Sequence, residues 1–191
     1  MYDLSGIVLK KLSAHKVAIL NDRVGRIDAI SIKAPHVGSL IRYRVQRERG
    51  TLHFLEYYSI IDLPFFLGRS DILFWHHVLE LCYHFMPVGS YASELFELLS
   101  FLYTVEKENS WGMHAKKMYL FKLLSTIGIQ TEIPQLPAVK LQQFMAMSAS
   151  QMKHVVLDEQ SEKILDKWIR VCVSEHPAIE QFKTMHFLVG E

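Results

Sequence analysis

Hydrophobic and polar positions alternate through the first third of the chain and recur at helical spacing through the rest. Between residues 4 and 63 the dominant period is two, as in strands that bury one face. In LIRYRVQ (residues 40–46) the apolar side chains share one face and the two arginines share the other. Turn residues separate such segments. The pattern predicts five short strands, in residues 6–9, 17–20, 26–32, 40–46 and 51–61.

Five short strands within about sixty residues favour a small closed β-barrel of the OB type. An SH3-like barrel has a similar strand count, so both alternatives remain open. The turn at Asn21–Gly25 is built from residues that tolerate positive φ. Residues 33–39, with Pro35 and Gly38, predict a loop between the third and fourth strands.

From residue 71 onward the period becomes helical. Three consecutive amphipathic helices are predicted between residues 71 and 128: DILFWHHVLELCYHFM, YASELFELLSFLYTVEK and WGMHAKKMYLFKLLSTIG. We expect a weaker helix in 139–147, a helical turn through Val155, a strong helix beginning at Asp158 or Ser161, and a short helical tail in 178–188. The predicted fold class is α+β, with an OB-like β-barrel domain in 1–66 and an all-α helical bundle domain in 67–191. The predicted buried stripes are Ile72, Trp75, Leu79, Cys82 and Met86, then Leu95, Leu98, Leu99 and Leu102, then Leu120, Leu123, Leu124 and Ile127, and in the last strong helix Ile164, Leu165, Trp168, Val171 and Cys172.

Charge is distributed unevenly along the chain. The 191 residues carry 21 Lys and Arg against 20 Asp and Glu, a formal net charge of +1. Residues 1–66 hold ten basic and six acidic residues, net +4, and residues 67–191 hold eleven and fourteen, net −3. A basic first part on a near-neutral chain indicates a surface able to meet a polyanion.

Location and redox state follow from what the sequence lacks. No apolar run approaches the roughly 18 residues that a membrane span requires, and no signal-peptide pattern opens the chain. We therefore expect a cytoplasmic protein that does not engage the membrane. The two cysteines, Cys82 and Cys172, lie within helical patterns and are expected to be buried thiols.

Catalytic motifs are missing from the sequence. It contains no Gly-x-Ser-x-Gly, Walker or dinucleotide-binding pattern, so we expect no enzyme, no cofactor and no metal. One alternative is zinc held by His76, His77, Glu80 and His84, which fall on neighbouring turns of the first helix. The other interpretation is the polar face of an amphipathic helix, since the His-Glu-x-x-His order is absent.

Basic residues of the predicted barrel are the strongest candidates for function. They are interleaved with aromatic residues, among them Tyr57 and Tyr58, and single-stranded nucleic acid is held by cations and aromatic faces. The alternative is a solvated barrel surface with the aromatic residues in the core. The candidate DNA-binding residues are Lys10, Lys11, Arg23, Arg26, Arg42, Arg44, Arg47 and Tyr43.

Several segments, in the right order along nearly the whole chain, resemble RecO, a family of bacterial recombination mediators. They are Gly6–Lys10 as its opening strand, Gly25–Ile27 as its Gly-Arg turn, Tyr91–Leu102, Lys117–Gly128 as its F-x-L-x-L-L-x-x-x-G helix, and Trp168–Leu188 as its closing segment. The chain departs from the family in being shorter, in lacking four zinc cysteines after residue 128, and in having little charge in residues 33–38.

The resemblance implies a non-catalytic DNA repair and recombination mediator. Such proteins bind single- and double-stranded DNA through an OB barrel, assist strand annealing, and act with RecR to load RecA onto DNA coated by single-strand-binding protein. The acidic, apolar tail of that coating protein docks on the helical domain. Lys116, Lys117 and Lys122 are the candidate partner-binding cations, with a solvated helix face as the alternative. A second hypothesis is a divergent RecO-like interaction adaptor with little or no DNA binding.

Overall fold

The computed structural model describes residues 3–47, 52–64, 71–90, 93–104, 111–129, 138–152 and 154–184. The chain divides into two compact units, Met1–Val105 and Glu106–Glu191. The barrel and the first two helices therefore share one unit. The division into domains at residue 66 remains a prediction.

Five strands form a closed barrel in the first unit, which confirms the predicted strand count and closure. The strands are β1 (Leu4–Lys11), β2 (Lys16–Asn21), β3 (Gly25–Ile30), β4 (Leu40–Arg47) and β5 (Leu52–Asp62). Around the barrel the strand order is β1-β2-β3-β5-β4. Neighbouring strands are antiparallel except β3 and β5, which are parallel over residues 28–30 and 52–54.

Alternate side chains of β2, β3 and β4 fill the barrel interior, as the period of two predicts, whereas register shifts interrupt the alternation in β1 and β5. Gly6 permits close packing there, since a Cβ atom at this position would lie 2.5 Å from Ile19 Cγ2. The turn before β3 closes on Gly25, whose φ is 74°, as expected for Asn21–Gly25. The core cluster comprises Val8, Val17, Ile19, Ile27, Ala29, Ile41, Tyr43 and Leu55.

Helix α1 (Ile72–Phe85) packs against the outside of β1. The outward-facing side chains Ile7, Ala18 and Leu20 are 0% exposed, so both faces of β1 and β2 are buried. In α1 the predicted stripe is confirmed at Trp75, Leu79, Cys82 and Met86. Ile72 was wrongly included, because it lies in the exposed first turn and is 44% exposed.

Helix α2 (Ser93–Phe101) and the 3-10 turn Leu102–Thr104 complete the first unit, and their four predicted leucines are buried. The loop between β3 and β4 is held by these helices. Tyr103 Oη donates to Gly38 O at 2.8 Å, and the Trp75 and Tyr103 rings meet edge to face at 5.6 Å. A Cβ on Gly38 would lie 2.5 Å from Trp75 Nε1, so this contact requires glycine.

The second unit is entirely helical in the part of the chain that the structure describes. The elements are α3 (Met113–Thr126), α4 (Ala138–Ala146), α5 (Ala149–Met152), α6 (Glu159–Ser174) and the 3-10 turn Ile179–Gln181. Helix α3 packs against α4, α5 and α6, and Phe121 meets Trp168 at 5.2 Å and Phe144 at 6.3 Å between ring centroids. Gly128, with φ of 91°, follows α3 as predicted.

The start and interior of α6 test two further predictions. Asp158 is the N-cap, accepting from Ser161 N at 2.8 Å. Leu165, Trp168 and Cys172 are buried, whereas Val171 is 39% exposed and was wrongly included. Both cysteines are free and buried, as predicted. Of the predicted tail, residues 178–184 contain only the 3-10 turn, and the remainder lies outside the described residues.

Candidate nucleic-acid interface

Two arginines and a tyrosine lie together on the outside of strands β4 and β5. Arg42 stands opposite Ser59, and Arg44 stands opposite Tyr57. The register shifts between Arg44 and Val45, and this irregularity lets Tyr57 face outward while its near neighbour Leu55 faces the core. Tyr57 is 58% exposed. We call Arg42, Arg44, Tyr57 and Ser59 the β4–β5 outer face.

Arg23 lies in the turn between β2 and β3, which the Asn21 side chain organises. The buried Asn21 side chain accepts from Arg23 N and Val24 N, both at 2.8 Å, and donates to Ser5 O at 2.7 Å. Ser5 pairs in register with Arg42. Arg23 is exposed, and Arg42 and Arg44 are the two cations of the β4–β5 outer face.

Asp3 lies against one of these arginines. Its Oδ1 accepts from Arg44 Nη2 at 3.1 Å and from Arg44 Nε at 3.3 Å. Both side chains are about two-fifths exposed, at 41% for Arg44 and 44% for Asp3, and an ion pair of this kind contributes little to stability. The carboxylate occupies donors that a phosphate would use, so it competes with an anionic ligand.

Arg26 points away from solvent and binds the end of α1. Its Nη1 donates to Met86 O at 2.8 Å and also to Tyr83 O. Tyr83 O has no helical partner because residue 87 is proline, which lacks an N–H. The guanidinium also lies 4.2 Å from the Tyr83 ring centroid. Arg26 is therefore corrected from a DNA-binding residue to a residue that holds α1 against the barrel.

Lys10 also contacts the last turn of α1. Its Nζ lies 4.3 Å from the Tyr83 ring centroid and 3.4 Å from His84 Nε2. Lys11 is exposed but lies six residues from Ser5 along β1, about 20 Å at the rise of a strand. The structure does not bring Lys10 and Lys11 together with the β4–β5 outer face. For Arg47, the backbone pairs with His53, and the side chain lies outside the described residues.

Tyr43 lies inside the barrel. Its side chain is 0% exposed, and its hydroxyl accepts from Asn21 Nδ2 at 2.8 Å. Burial raises the pKa of the phenol well above its usual range, against a smaller lowering by the Asn21 hydrogen bond. Tyr43 therefore has no face for a base, and its assignment to DNA binding is corrected. The alternation along β4 places Tyr43 inside the barrel, because Ile41 and Tyr43 share the face opposite to that of the arginines.

The histidines of α1 do not form a common face. His77 is 0% exposed, His76 is exposed, and Glu80 and His84 are partly buried. No group of three or more His, Cys, Asp or Glu that could hold a metal ion occurs among the residues that the structure describes. The interpretation of all four residues as one polar face is also wrong at His77.

The partner-binding lysines of α3 occupy different environments. Lys117 Nζ is paired with Glu162 at 2.6 Å and Asp166 at 2.8 Å on α6, and its side chain is only 16% exposed. Burial by itself lowers the pKa of Lys117, but the hydrogen bonds to Asp166 and Glu162 outweigh it and raise the pKa. Lys122 Nζ donates to Met145 O, and Lys116 is partly buried. Lys117 is thus corrected from a partner-binding cation to a residue that joins two helices.

Tyr57 is the residue that the list of candidates missed. In the antiparallel pair of β4 and β5 an outward residue of one strand faces an outward residue of the other, and Tyr57 therefore shares the side of Arg44. The sequence contained no signal of this side, since strict alternation from Leu55 would direct Tyr57 inward.

No protein-family model matches the chain, and no curated protein matches it. In the described part of the chain, no helix combines the length and the apolar character needed to cross a membrane.

Proposed function

We propose that the chain is a non-catalytic DNA-binding protein of the RecO-like kind, which holds nucleic acid on the β4–β5 outer face of an OB-like barrel. The observation that carries the proposal is the placement of Arg42 and Arg44 beside the exposed ring of Tyr57. Single-stranded nucleic acid is held by cations that follow its phosphates and by aromatic rings on which its bases stack.

The strand arrangement supports the OB-like assignment. Five strands close in the order β1-β2-β3-β5-β4 with a parallel β3–β5 pair, which fits a five-stranded Greek-key barrel. In OB folds the face of strands 2 and 3 is the usual binding surface. Here Ala18 and Leu20 on the outside of β2 are buried, and Arg26 of β3 is bound to α1. The interface is therefore proposed on the other side of the barrel.

The cellular part of the proposal rests on the resemblance to RecO. It comprises strand annealing, RecA loading with RecR, binding of the single-strand-binding protein tail, and action in the cytoplasm. The candidate cations for the tail are Lys116 and Lys122 of α3, and Lys122 also donates to Met145 O.

A second candidate function is an interaction adaptor with little or no DNA binding. The observation that favours it is that cations predicted to meet DNA are engaged within the protein: Lys10 and Arg26 near Tyr83, and Arg44 with Asp3. Fewer free cations mean fewer released counterions and weaker binding.

The experiment is fluorescence anisotropy of a labelled 20-nucleotide strand at several salt concentrations. We expect Arg42→Ala with Arg44→Ala to weaken binding to all sequences alike and to lower the salt slope by about 1.4, since each single-strand phosphate contact contributes about 0.7. Asp3→Asn should strengthen binding about two- to fivefold, because it frees Arg44 at the cost of a weak surface pair.

The matched control is Lys11→Ala with Lys33→Ala, which also removes two exposed barrel cations but not from this face. A loss of affinity in the control and not in the arginine variant would refute the proposed face. If the unmodified protein failed to bind at low salt, the adaptor function would be favoured.

A further inference from the structure

The β4–β5 outer face combines an exposed aromatic ring with two arginines. Tyr57 is 58% exposed although it lies within a strand of a closed barrel. On β4, directly opposite, stands Arg44, and Arg42 lies two residues away on the same side. Two residues along a strand span about 6.8 Å, a separation similar to that of neighbouring phosphates in an extended strand.

This arrangement separates charge recognition from base recognition. The two guanidinium groups can meet two successive phosphates of any nucleic acid. The Tyr57 ring can meet only a base whose face is free, since every base has a π-face but a duplex keeps these faces stacked on each other. Taking a base out of a duplex costs a few kcal/mol, which is comparable to what stacking on one ring would return.

We propose that Tyr57 is a base-stacking residue that makes the β4–β5 outer face selective for single-stranded over double-stranded DNA. The inference rests on the proposed function and adds to it the strand preference and the residue responsible. A surface that recognised only phosphate charge would bind double-stranded DNA at least as well as single-stranded DNA, because the duplex has the higher charge density.

The test compares three labelled probes of equal length, namely a 20-nucleotide strand, its duplex and a 20-unit abasic strand that has phosphates but no bases. We expect Tyr57→Ala to weaken binding of the normal strand about tenfold. Binding of the abasic strand and the duplex should change less than twofold. Tyr57→Phe should behave as the unmodified protein, because it keeps the ring and removes only the hydroxyl.

The salt dependence provides a second readout. Tyr57→Ala should leave the salt slope on the normal strand unchanged, since no phosphate contact is lost, whereas the Arg42 and Arg44 double variant lowers it. Because Tyr57 is largely exposed, the substitution should preserve the fold, and circular dichroism checks this directly.

The outcomes distinguish this inference from the function on which it rests. If Tyr57→Ala bound all three probes as the unmodified protein does, or lost affinity for all three equally, the stacking role would be refuted. The DNA-binding function would still stand if the arginine variant lost affinity. If the unmodified protein bound none of the probes at low salt, both would be refuted.

Discussion

Arg26 offers a direct test of which cations of the barrel are structural. Arg26→Met keeps the length of the side chain and removes the guanidinium. The change leaves Tyr83 O and Met86 O at the end of α1 without their donor, and Tyr83 O has no substitute because residue 87 is proline. The Arg26 side chain is only 11% exposed, so water replaces the lost bonds poorly.

The expected loss of stability follows from these contacts. A hydrogen bond from a charged donor contributes about 1.5–3 kcal/mol, and a cation–π contact such as that with Tyr83 about 0.5–2 kcal/mol. Arg26 Nε is buried without a hydrogen-bond partner among the described residues, which offsets part of the gain. We therefore expect Arg26→Met to destabilise the first unit by about 3 kcal/mol. Arg26→Lys should restore part of this, since an ammonium group cannot reproduce the planar fork of the guanidinium.

The assay is urea unfolding with pulsed hydrogen–deuterium exchange, following peptides from residues 72–86. This reads the first unit separately from the second, which is necessary because the two compact units need not unfold together. The control is Arg42→Met, which is exposed and should change the unfolding free energy by less than about 0.5 kcal/mol. Equal effects of the two substitutions, or a loss below about 1 kcal/mol for Arg26→Met, would refute the reasoning.

Two further predictions concern packing and pH. Gly38→Ala should destabilise the first unit by about 2–4 kcal/mol in the same urea assay, because φ is 78° and the new Cβ would lie 2.5 Å from Trp75 Nε1. The control is Gly89→Ala, which has a similar φ of 81° but no atom within 4 Å of the new Cβ, and it should cost only about 1 kcal/mol. Equal losses of stability in the two variants would contradict the role of the Trp75 contact. In the second unit, the hydrogen bond from Lys117 lowers the pKa of Glu162. The stabilisation that this pair gives the folded state is therefore fully present above the unfolded pKa of about 4.3, and it is lost as the pH falls through the lower pKa of Glu162 in the folded state. The difference in stability between the unmodified protein and Lys117→Met should therefore shrink as the pH is lowered from 6 to 3. Hydrogen–deuterium exchange in residues 113–126 measures this difference. If the difference stayed constant, the pair with Glu162 would not be the source of the stabilisation.

Periodicity was sufficient to predict the local structure of both units. The period of two located all five strands, because alternate side chains of a strand must enter the barrel. The buried leucines of α2 and α3 and the caps at Asp158 and Gly128 were predicted because they depend on residues close in sequence. The RecO resemblance, by contrast, remains a hypothesis carried by the order of several degenerate motifs.

Tertiary structure decided what the basic residues do. Lys10, Arg26 and Arg42 are all outward-facing barrel cations in the sequence, yet Tyr83 of α1 engages the first two, and the third is exposed. The sequence also determined that Tyr43 and the arginines of β4 take opposite faces, and the structure shows that the face of Tyr43 is the buried one. It did not determine that Tyr57 faces outward, because a bulge adds one residue to the period. The reason is general: side-chain direction within a strand is local, whereas the availability of a cation depends on which distant segment packs over it.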